Sequence, residues 1–234
     1  MRNVRMGLGF TGLIAVMAGA LQAQTVTLDE GTYRLMVGGQ EAGTETFSIR
    51  RNGGGDNAVI IATGKVVLDT ARLGQQINAD LQVAGPALRP AAYQVKIEGQ
   101  QAQQIAGRVA GGRFSARIVS SAGEMMREYL ASEGAVVVDE GVAHHYYFLA
   151  QRIGTAGARV PMIFPRQSRQ VTAQVSASNA VSLTIGGSAV KASRFAVTVA
   201  GEPERQVWVD EQGRVLRLEI PARNFIAERT AAPR

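Results

Sequence analysis

Apolar and polar side chains alternate with a period of two along most of the chain, and this alternation predicts β-strands. The clearest runs are residues 33–37, 171–175 and 181–185. Similar runs recur at intervals of about 8–12 residues with Gly or Pro between them, a spacing typical of antiparallel sandwiches and barrels. The pattern therefore predicts a mainly β fold, as an antiparallel, strongly curved sheet or an open barrel or sandwich.

Glycine-rich segments separate the predicted strands. Gly186-Gly187 and the segment 38–43 are typical of hairpin turns. Residues 124–130 fit either a strand or a short helix. Residues 224–229 are predicted to form a last strand that closes the sheet.

The clearest hairpin joins residues 206–210 to residues 214–220 through a turn that contains Gly213. Strict alternation in its second strand places Leu216, Leu218 and Ile220 on one face. Trp208, in the first strand, is either a core anchor or part of a cavity wall.

The alternation gives way to helical spacing in the middle of the chain. Val142, Tyr146, Leu149 and Ile153 recur at intervals of three or four residues, Asp139 precedes them as a candidate N-cap, and Gly154 follows. One helix is therefore predicted around residues 139–153.

Residues 1–23 have the layout of a cleaved secretory signal peptide. Arg2 and Arg5 supply positive charge, residues 6–21 are uncharged and mainly apolar, and cleavage is expected after Ala20 or Ala23. The alternative is a membrane anchor, but this uncharged run is near the lower limit for crossing a bilayer. Residues 24–234 are then predicted to form a single β-rich domain in the periplasm, at the outer envelope or outside a bacterium.

The charge is mildly basic and widely spread. The chain has 25 basic and 19 acidic residues and no cysteine, and only Lys65, Lys96 and Lys191 are lysines. Nucleic-acid-binding surfaces collect basic residues into a patch or stripe. Nucleic acid is therefore not expected as a partner.

His144 and His145 are the only histidines and the first candidates for metal binding or catalysis. Adjacent residues of a helix point about 100° apart, whereas a zinc-binding pair on a helix is four residues apart. The pair therefore favours structural packing, with one ring buried and one exposed to solvent, over a metal site or a catalytic triad.

Three other motifs have ordinary structural explanations. Asp69 lies in a segment similar to the Asp-Thr-Gly loop of aspartic proteases, but a second copy to share the proton is missing. Asp139-Glu140 and Asp210-Glu211 fall at a predicted helix start and in a turn, where acidic residues are locally favoured. The segment from Gly38 to Thr44 lacks the lysine of a phosphate-binding loop. No catalytic, cofactor-binding or metal-ligating residue is assigned.

Aromatic and methionine side chains are distributed over many predicted strands. They can line an apolar cavity or fill the core, and the sequence favours filling of the core. They are Tyr33, Met36, Phe47, Tyr93, Phe114, Met125, Met126, Tyr129, Phe148, Met162, Phe164, Phe195, Trp208 and Phe225.

Four segments together resemble the DUF3108-like proteins, exported bacterial proteins of unknown function. The segments are residues 138–149, Val160-Pro161, residues 207–221 with the pattern W-V-D-x-x-G, and Glu228-Arg229. The resemblance implies an antiparallel, strongly curved sheet, loosely similar to the open barrels of LolA-type periplasmic lipoprotein carriers. It implies no catalytic residues.

These observations favour an exported, non-enzymatic β protein that binds a lipid or other apolar ligand, or an envelope protein, on a curved sheet. The alternatives are a structural or interaction module of the envelope, and a hydrolase that uses Asp69 or the region of His144 and His145. No cofactor and no stable membrane span after signal cleavage are expected. A carrier should contain a cavity of roughly several hundred Å³. An interaction module should have an exposed apolar patch or a free strand edge. An enzyme should have a titratable pair in a cleft.

Overall fold

The computed structural model describes residues 25–68 and 74–234, so the predicted signal peptide and Asp69 lie outside the described residues. The described residues form one sheet of sixteen strands, which confirms the mainly β prediction. The strands are β1 (Thr25–Val37), β2 (Gln40–Asn52), β3 (Val59–Leu68), β4 (Gln75–Ala84), β5 (Arg89–Gly99), β6 (Gln103–Ala110), β7 (Arg113–Ser120), β8 (Gly123–Leu130), β9 (Val136–Val137), β10 (Ala158–Phe164), β11 (Arg169–Val175), β12 (Asn179–Ile185), β13 (Ser188–Thr198), β14 (Arg205–Val209), β15 (Val215–Ile220) and β16 (Phe225–Arg229).

The sheet consists of two meanders that meet where β1 pairs with β16. Its order is β8-β7-β6-β5-β4-β3-β2-β1-β16-β15-β14-β13-β11-β10-β9, and β12 pairs with β13 beside this path. All pairs are antiparallel except β9 with β10. The segment that the sequence left open between strand and helix is β8, at one end of the sheet.

A buried ion pair fastens the junction between β1 and β16. Arg229 pairs with Tyr33 in the β1–β16 ladder and binds the carboxylate of Asp29. Its Nε donates to the carbonyl of Val215 at 2.6 Å, and its guanidinium lies 5.0 Å from the centroid of the Phe47 ring. The ion pair therefore holds β16 against β1, while the other two contacts tie Arg229 to β15 and β2.

The sheet curls until β8 reaches β11. The side chain of Gln170 in β11 accepts the N–H of Leu130 at 2.8 Å and donates to its carbonyl at 2.6 Å. Inward-facing side chains from both meanders meet in one buried apolar cluster. This cluster is called the main core below.

A short helical segment passes through the main core. A 3₁₀ turn (Ala143–His145) leads into α1 (Tyr146–Ala150), and every residue of both is buried. The predicted helix is therefore present but shorter than residues 139–153. Three further 3₁₀ turns are Gly55–Asn57, Pro165–Gln167 and Pro221–Arg223.

Two glycine pairs form the hairpin turns that the sequence predicts. Gly38 and Gly39 join β1 to β2 with φ of +61° and +78°, and Gly186 and Gly187 join β12 to β13 with φ of +56° and +83°. Two-residue turns of this hand need positive φ at both positions, which glycine adopts without strain. The first turn is shorter than the predicted segment 38–43, because β2 already begins at Gln40.

Within residues 25–68 and 74–234, no helix has the length and apolar character needed to cross a bilayer.

Candidate functional site

Both histidines lie inside the main core. The side chains of His144 and His145 are fully buried, and their ring centroids are 4.6 Å apart with planes at 74°. The prediction that one ring is exposed to solvent is therefore wrong. Every residue from Ala143 to Ala150 is buried, so neither ring has a solvent-facing side of the segment to occupy.

Glu45 of β2 holds the turn that carries the histidines. Its Oε2 accepts the N–H of Ala143 at 2.7 Å, and its Oε1 accepts the N–H of His144 at 2.9 Å and lies 2.7 Å from His144 Nδ1. The contact between Oε1 and Nδ1 therefore joins the imidazole to the same carboxyl group that binds the two backbone N–H groups. Glu45 thus supplies the cap that the sequence assigned to Asp139.

Sequence reasoning missed Glu45, although a signal was present. Glu45 lies two and four residues before Phe47 and Ile49 in β2, so the three side chains are on the same face of the strand. Phe47 and Ile49 face the main core. A carboxylate at an inward position needs a buried partner. Alternation alone therefore indicates an internal polar contact, without identifying the partner.

The ring of His144 packs against β3 at Gly64, which has no side chain. A Cβ atom at Gly64 would lie 2.3 Å from His144 Cε1, far inside contact distance. The ring of Phe47 stacks nearly parallel to the imidazole, with centroids 5.6 Å apart and planes at 4°. The missing side chain at Gly64 therefore makes the space that the imidazole occupies.

Asp139 joins the second histidine to β5. Its N–H donates to His145 Nδ1 at 3.2 Å, and its carboxylate accepts the hydroxyl of Tyr93. Burial raises the pKa of Asp139 to about 6, although Arg166 and Tyr93 favour the ionised form. Burial, with a further contribution from His144, lowers the pKa of His145 well below its ordinary value. His145 is therefore a neutral acceptor at Nδ1.

This polar cluster stabilises the fold and offers no open reaction site. Among the described residues, the Nε2 atoms of His144 and His145 have no hydrogen-bond partner. A general base must reach the proton it abstracts, and these rings meet only the packed interior. In the same part of the chain, no group of three His, Cys, Asp or Glu side chains is placed to hold a metal ion.

Asp210 has the turn role that the sequence assigned to it. Its Oδ1 accepts the N–H groups of Gln212 and Arg214, each at 2.9 Å, and its Oδ2 accepts Nε of Arg214 at 2.7 Å. These contacts fix the β14–β15 turn.

Trp208 anchors a second, smaller apolar cluster and not a cavity wall. It packs with Ile185, Ala192 and Leu216, whereas its strand neighbours Val207 and Val209 face the main core. The β12–β13 hairpin thus covers the outer face of the sheet at this point.

A β-bulge explains where the predicted hairpin register fails. Trp208 pairs with Arg217 and Val209 with Val215, which leaves Leu216 as an extra residue. Leu216 therefore joins Trp208 on the outer face, while Leu218 faces the main core. The prediction that Leu216 and Leu218 share a face is wrong for this reason.

Most of the aromatic side chains that could line a cavity instead fill the main core. The buried ones are Tyr33, Phe47, Tyr93, Phe114, Tyr129, Phe148, Phe164 and Phe195. Packing, which the sequence favoured, is thus the main role of these residues.

The unusual surface feature is β8. Met125, Met126 and Leu130 are 41%, 58% and 62% exposed, and they are three of the six large apolar side chains exposed within residues 25–68 and 74–234. In this part of the chain β8 pairs with β7 alone. The strand therefore combines an apolar surface with a free edge.

The hydrogen-bond pattern shows which backbone groups lie on that edge. Leu130 turns its N–H and C=O away from β7, toward Gln170. Alternate residues of an antiparallel strand point these groups to the same side, and the β7–β8 register is unbroken. The N–H and C=O groups of Glu124, Met126 and Glu128 therefore point outward.

Comparison with solved structures supports the fold. A β-barrel-like protein of the domain of unknown function DUF1849 from Brucella abortus matches with a TM-score of 0.56 and 10% identity, over 88% of this chain and 98% of that chain. A DUF1089 family protein from Pseudomonas aeruginosa matches with a TM-score of 0.43 and 13% identity, over 76% of this chain and 90% of that one. No family model and no curated protein matches the chain. The first likeness supports a β-barrel-like sheet and nothing finer.

Proposed function

We propose that the protein is an exported, non-enzymatic module of the bacterial envelope that binds an extended segment of a partner protein along the free edge of β8. Export rests on the predicted signal peptide in residues 1–23, and the resemblance to DUF3108-like proteins suggests the family. The observation that carries the binding role is the outward-facing backbone of Glu124, Met126 and Glu128 beside exposed methionines.

Strand addition is the recognition mode that fits such an edge. A partner in extended conformation gains main-chain hydrogen bonds from the edge, and alternate side-chain contacts give specificity. Proteins usually protect long edges with charges, bulges or covering segments. Among the described residues, Gln170 covers the backbone of Leu130, and no hydrogen bond covers the three preceding outward positions.

The side chains of β8 indicate the chemistry of the partner. On the outer face Met126 lies between Glu124 and Glu128, whose side chains are half exposed beside Arg117 and Arg113. Directly opposed residues of antiparallel strands share a face and interact. The fitting partner strand therefore carries basic, apolar and basic side chains at alternate positions.

The other two hypotheses have less support. A carrier needs an internal chamber for its ligand, but aromatic side chains fill the main core. A hydrolase that uses the histidines needs a reachable titratable group, but His144 and His145 are buried, and Asp69, the other candidate, lies outside the described residues.

Peptide selection combined with one proline substitution in β8 tests the proposal. Random peptides displayed on phage are selected on the purified protein, and the enriched peptides are synthesised and titrated. We expect them to carry alternating basic and apolar residues, and to slow hydrogen exchange at the amides of Glu124, Met126 and Glu128. Met126→Pro should abolish binding, because it removes an outward N–H that the β7 ladder does not use.

Met126→Thr is the matched control, since it changes the same side chain and keeps the backbone donor. It should retain binding within about tenfold, because main-chain hydrogen bonds carry most of the affinity in this mode. Equal binding by wild type and Met126→Pro would overturn the proposal, as would protection confined to amides outside β8.

A further inference from the structure

We propose that a cleft at one end of the sheet binds a single-chain amphiphile with a carboxylate head group, such as a fatty acid. The cleft has a volume of about 400 Å³, within the range of roughly 300–1,000 Å³ typical of small-molecule sites. It uses residues other than those of the β8 edge, so the two proposals stand or fall separately.

The floor of the cleft is apolar. Five strand ends contribute side chains to it: Val37, Leu68, Ile77, Ile220 and Phe225. Val37 is 40% exposed, and Leu68 and Phe225 are partly exposed, so part of this floor is open to solvent. Covering this surface with an acyl chain removes it from water, at about 25 cal/mol per Å².

Two similar corners of the fold place arginines at the rim. The turns Pro165–Gln167 and Pro221–Arg223 each end in a residue of positive φ, Ser168 at 51° and Asn224 at 49°. In each corner the N–H of that residue donates to the proline carbonyl at 3.0 Å. Arg166 comes from the first corner and Arg223 from the second, and both line the cleft together with Glu140, which contacts Arg223.

The charges around the rim are unbalanced. Arg223 contacts Glu140 and Glu202, and Glu202 also binds Arg169 at 2.7 Å and Arg205 at 3.5 Å. Arg166 lies 3.6 Å from Asp139, so the network holds four guanidinium groups and the carboxylates of three residues, Asp139, Glu140 and Glu202.

Burial raises the pKa of Asp139 to about 6, so its carboxylate is still largely ionised at pH 7 and the network keeps a net charge of roughly +1. A surplus of positive charge thus lies beside an apolar floor. Guanidinium groups bind carboxylates with paired N–H donors, so the cleft suits an apolar chain with an anionic end.

Calorimetric titration of the purified full chain with dodecanoate, below its micelle concentration, tests the inference. We expect one dodecanoate per chain, and at least about tenfold weaker binding of dodecyltrimethylammonium, whose chain is the same and whose charge is opposite. No binding of dodecanoate, or equal affinity for the cation, would overturn it.

A matched pair of variants locates the site. Val37→Asp should weaken dodecanoate binding about tenfold or more, since it puts a charge on the floor. Val26→Asp should leave affinity within about twofold, because Val26 is 37% exposed in the same strand at its opposite end. Equal losses in both variants would contradict the site.

Arg223→Gln decides the question if Val37→Asp does not fold. Arg223 is a third exposed, so a soluble, folded variant is expected. It should bind dodecanoate about fivefold more weakly or worse, while uncharged dodecanol retains its affinity. Unchanged dodecanoate affinity in Arg223→Gln would contradict the role of the rim.

Discussion

Glu45 and His144 contact each other inside the sheet although 99 residues separate them, with Glu45 Oε1 2.7 Å from His144 Nδ1. Both side chains are fully buried. Removing one partner of a buried polar contact costs more than the contact gains on formation, because the other partner stays buried and unsatisfied. The helical segment therefore depends on one carboxylate from β2.

Glu45→Gln should destabilise the protein strongly. One amide oxygen cannot replace two carboxylate oxygens that accept the N–H groups of Ala143 and His144 and contact His144 Nδ1, so at least one of these N–H groups loses its acceptor. We expect the free energy of unfolding in urea to fall by about 3 kcal/mol. Glu41→Gln, an exposed change in the same strand, should shift it by less than about 0.5 kcal/mol. Similar effects of both variants would contradict the capping role.

Gly64→Ala should also destabilise the protein, because the added methyl group meets the ring of His144. Overpacking of this kind costs about 1–3 kcal/mol. In a His144→Ala background the same change should cost nothing or stabilise, since the obstructing ring is gone. Thermal unfolding of the four proteins gives the coupling energy. Gly54→Ala, where the methyl group enters open space, is the control, and additive losses at Gly64 and His144 would refute the contact.

The raised pKa of Asp139 predicts a defined dependence of stability on pH. Below about pH 4 the carboxyl is protonated in both states, and between about pH 4 and 6 the folded state keeps a proton that the unfolded state has lost. The contribution of Asp139 to stability therefore falls as the pH rises through this window, by about 3 kcal/mol.

Comparison with Asp139→Asn isolates this contribution. His145 is present in both proteins, so its effect on stability cancels in the difference between them. The stability of wild type minus that of the variant should decrease from pH 4 to pH 7. A difference that is constant with pH, measured by urea unfolding across this range, would show that Asp139 titrates normally.

Gln170→Ala should free the last residue of the β8 edge. The two hydrogen bonds that the Gln170 side chain makes to Leu130 are lost, at about 1 kcal/mol each. Amide hydrogen exchange at Leu130 should accelerate by about 5- to 30-fold. Gln174→Ala, an exposed change in the same strand, should leave this amide unaffected. An unchanged rate in Gln170→Ala would show that another group protects Leu130.

Local sequence signals predicted the elements well. Alternation located the strands. Gly38-Gly39 and Gly186-Gly187 predicted two turns, because the conformation of a two-residue turn depends only on the residues in it. The helix was placed correctly but made too long, since apolar spacing cannot distinguish a surface helix from a buried strand-to-helix segment. Val142 and Ile153 fit the helical period, yet α1 occupies only Tyr146–Ala150.

Local sequence patterns did not predict the contacts between residues that are distant in the chain. No local rule connects Glu45 with residues 143–144, and the space for His144 comes from Gly64 on another strand. The bulge at Leu216 breaks the period of two within a single strand. The free edge of β8 depends on the order of all sixteen strands, which no segment specifies alone.

The junction of β1 with β16 has a kinetic consequence. Asp29 meets Arg229 across 200 residues of chain, so β1 lacks its second neighbour until the ribosome has added β16. Closing so long a loop is slow compared with forming the hairpins on either side. A chain that ends before residue 225 should therefore leave β1 as an open edge of the first meander, which chaperones that recognise unpaired strands can bind.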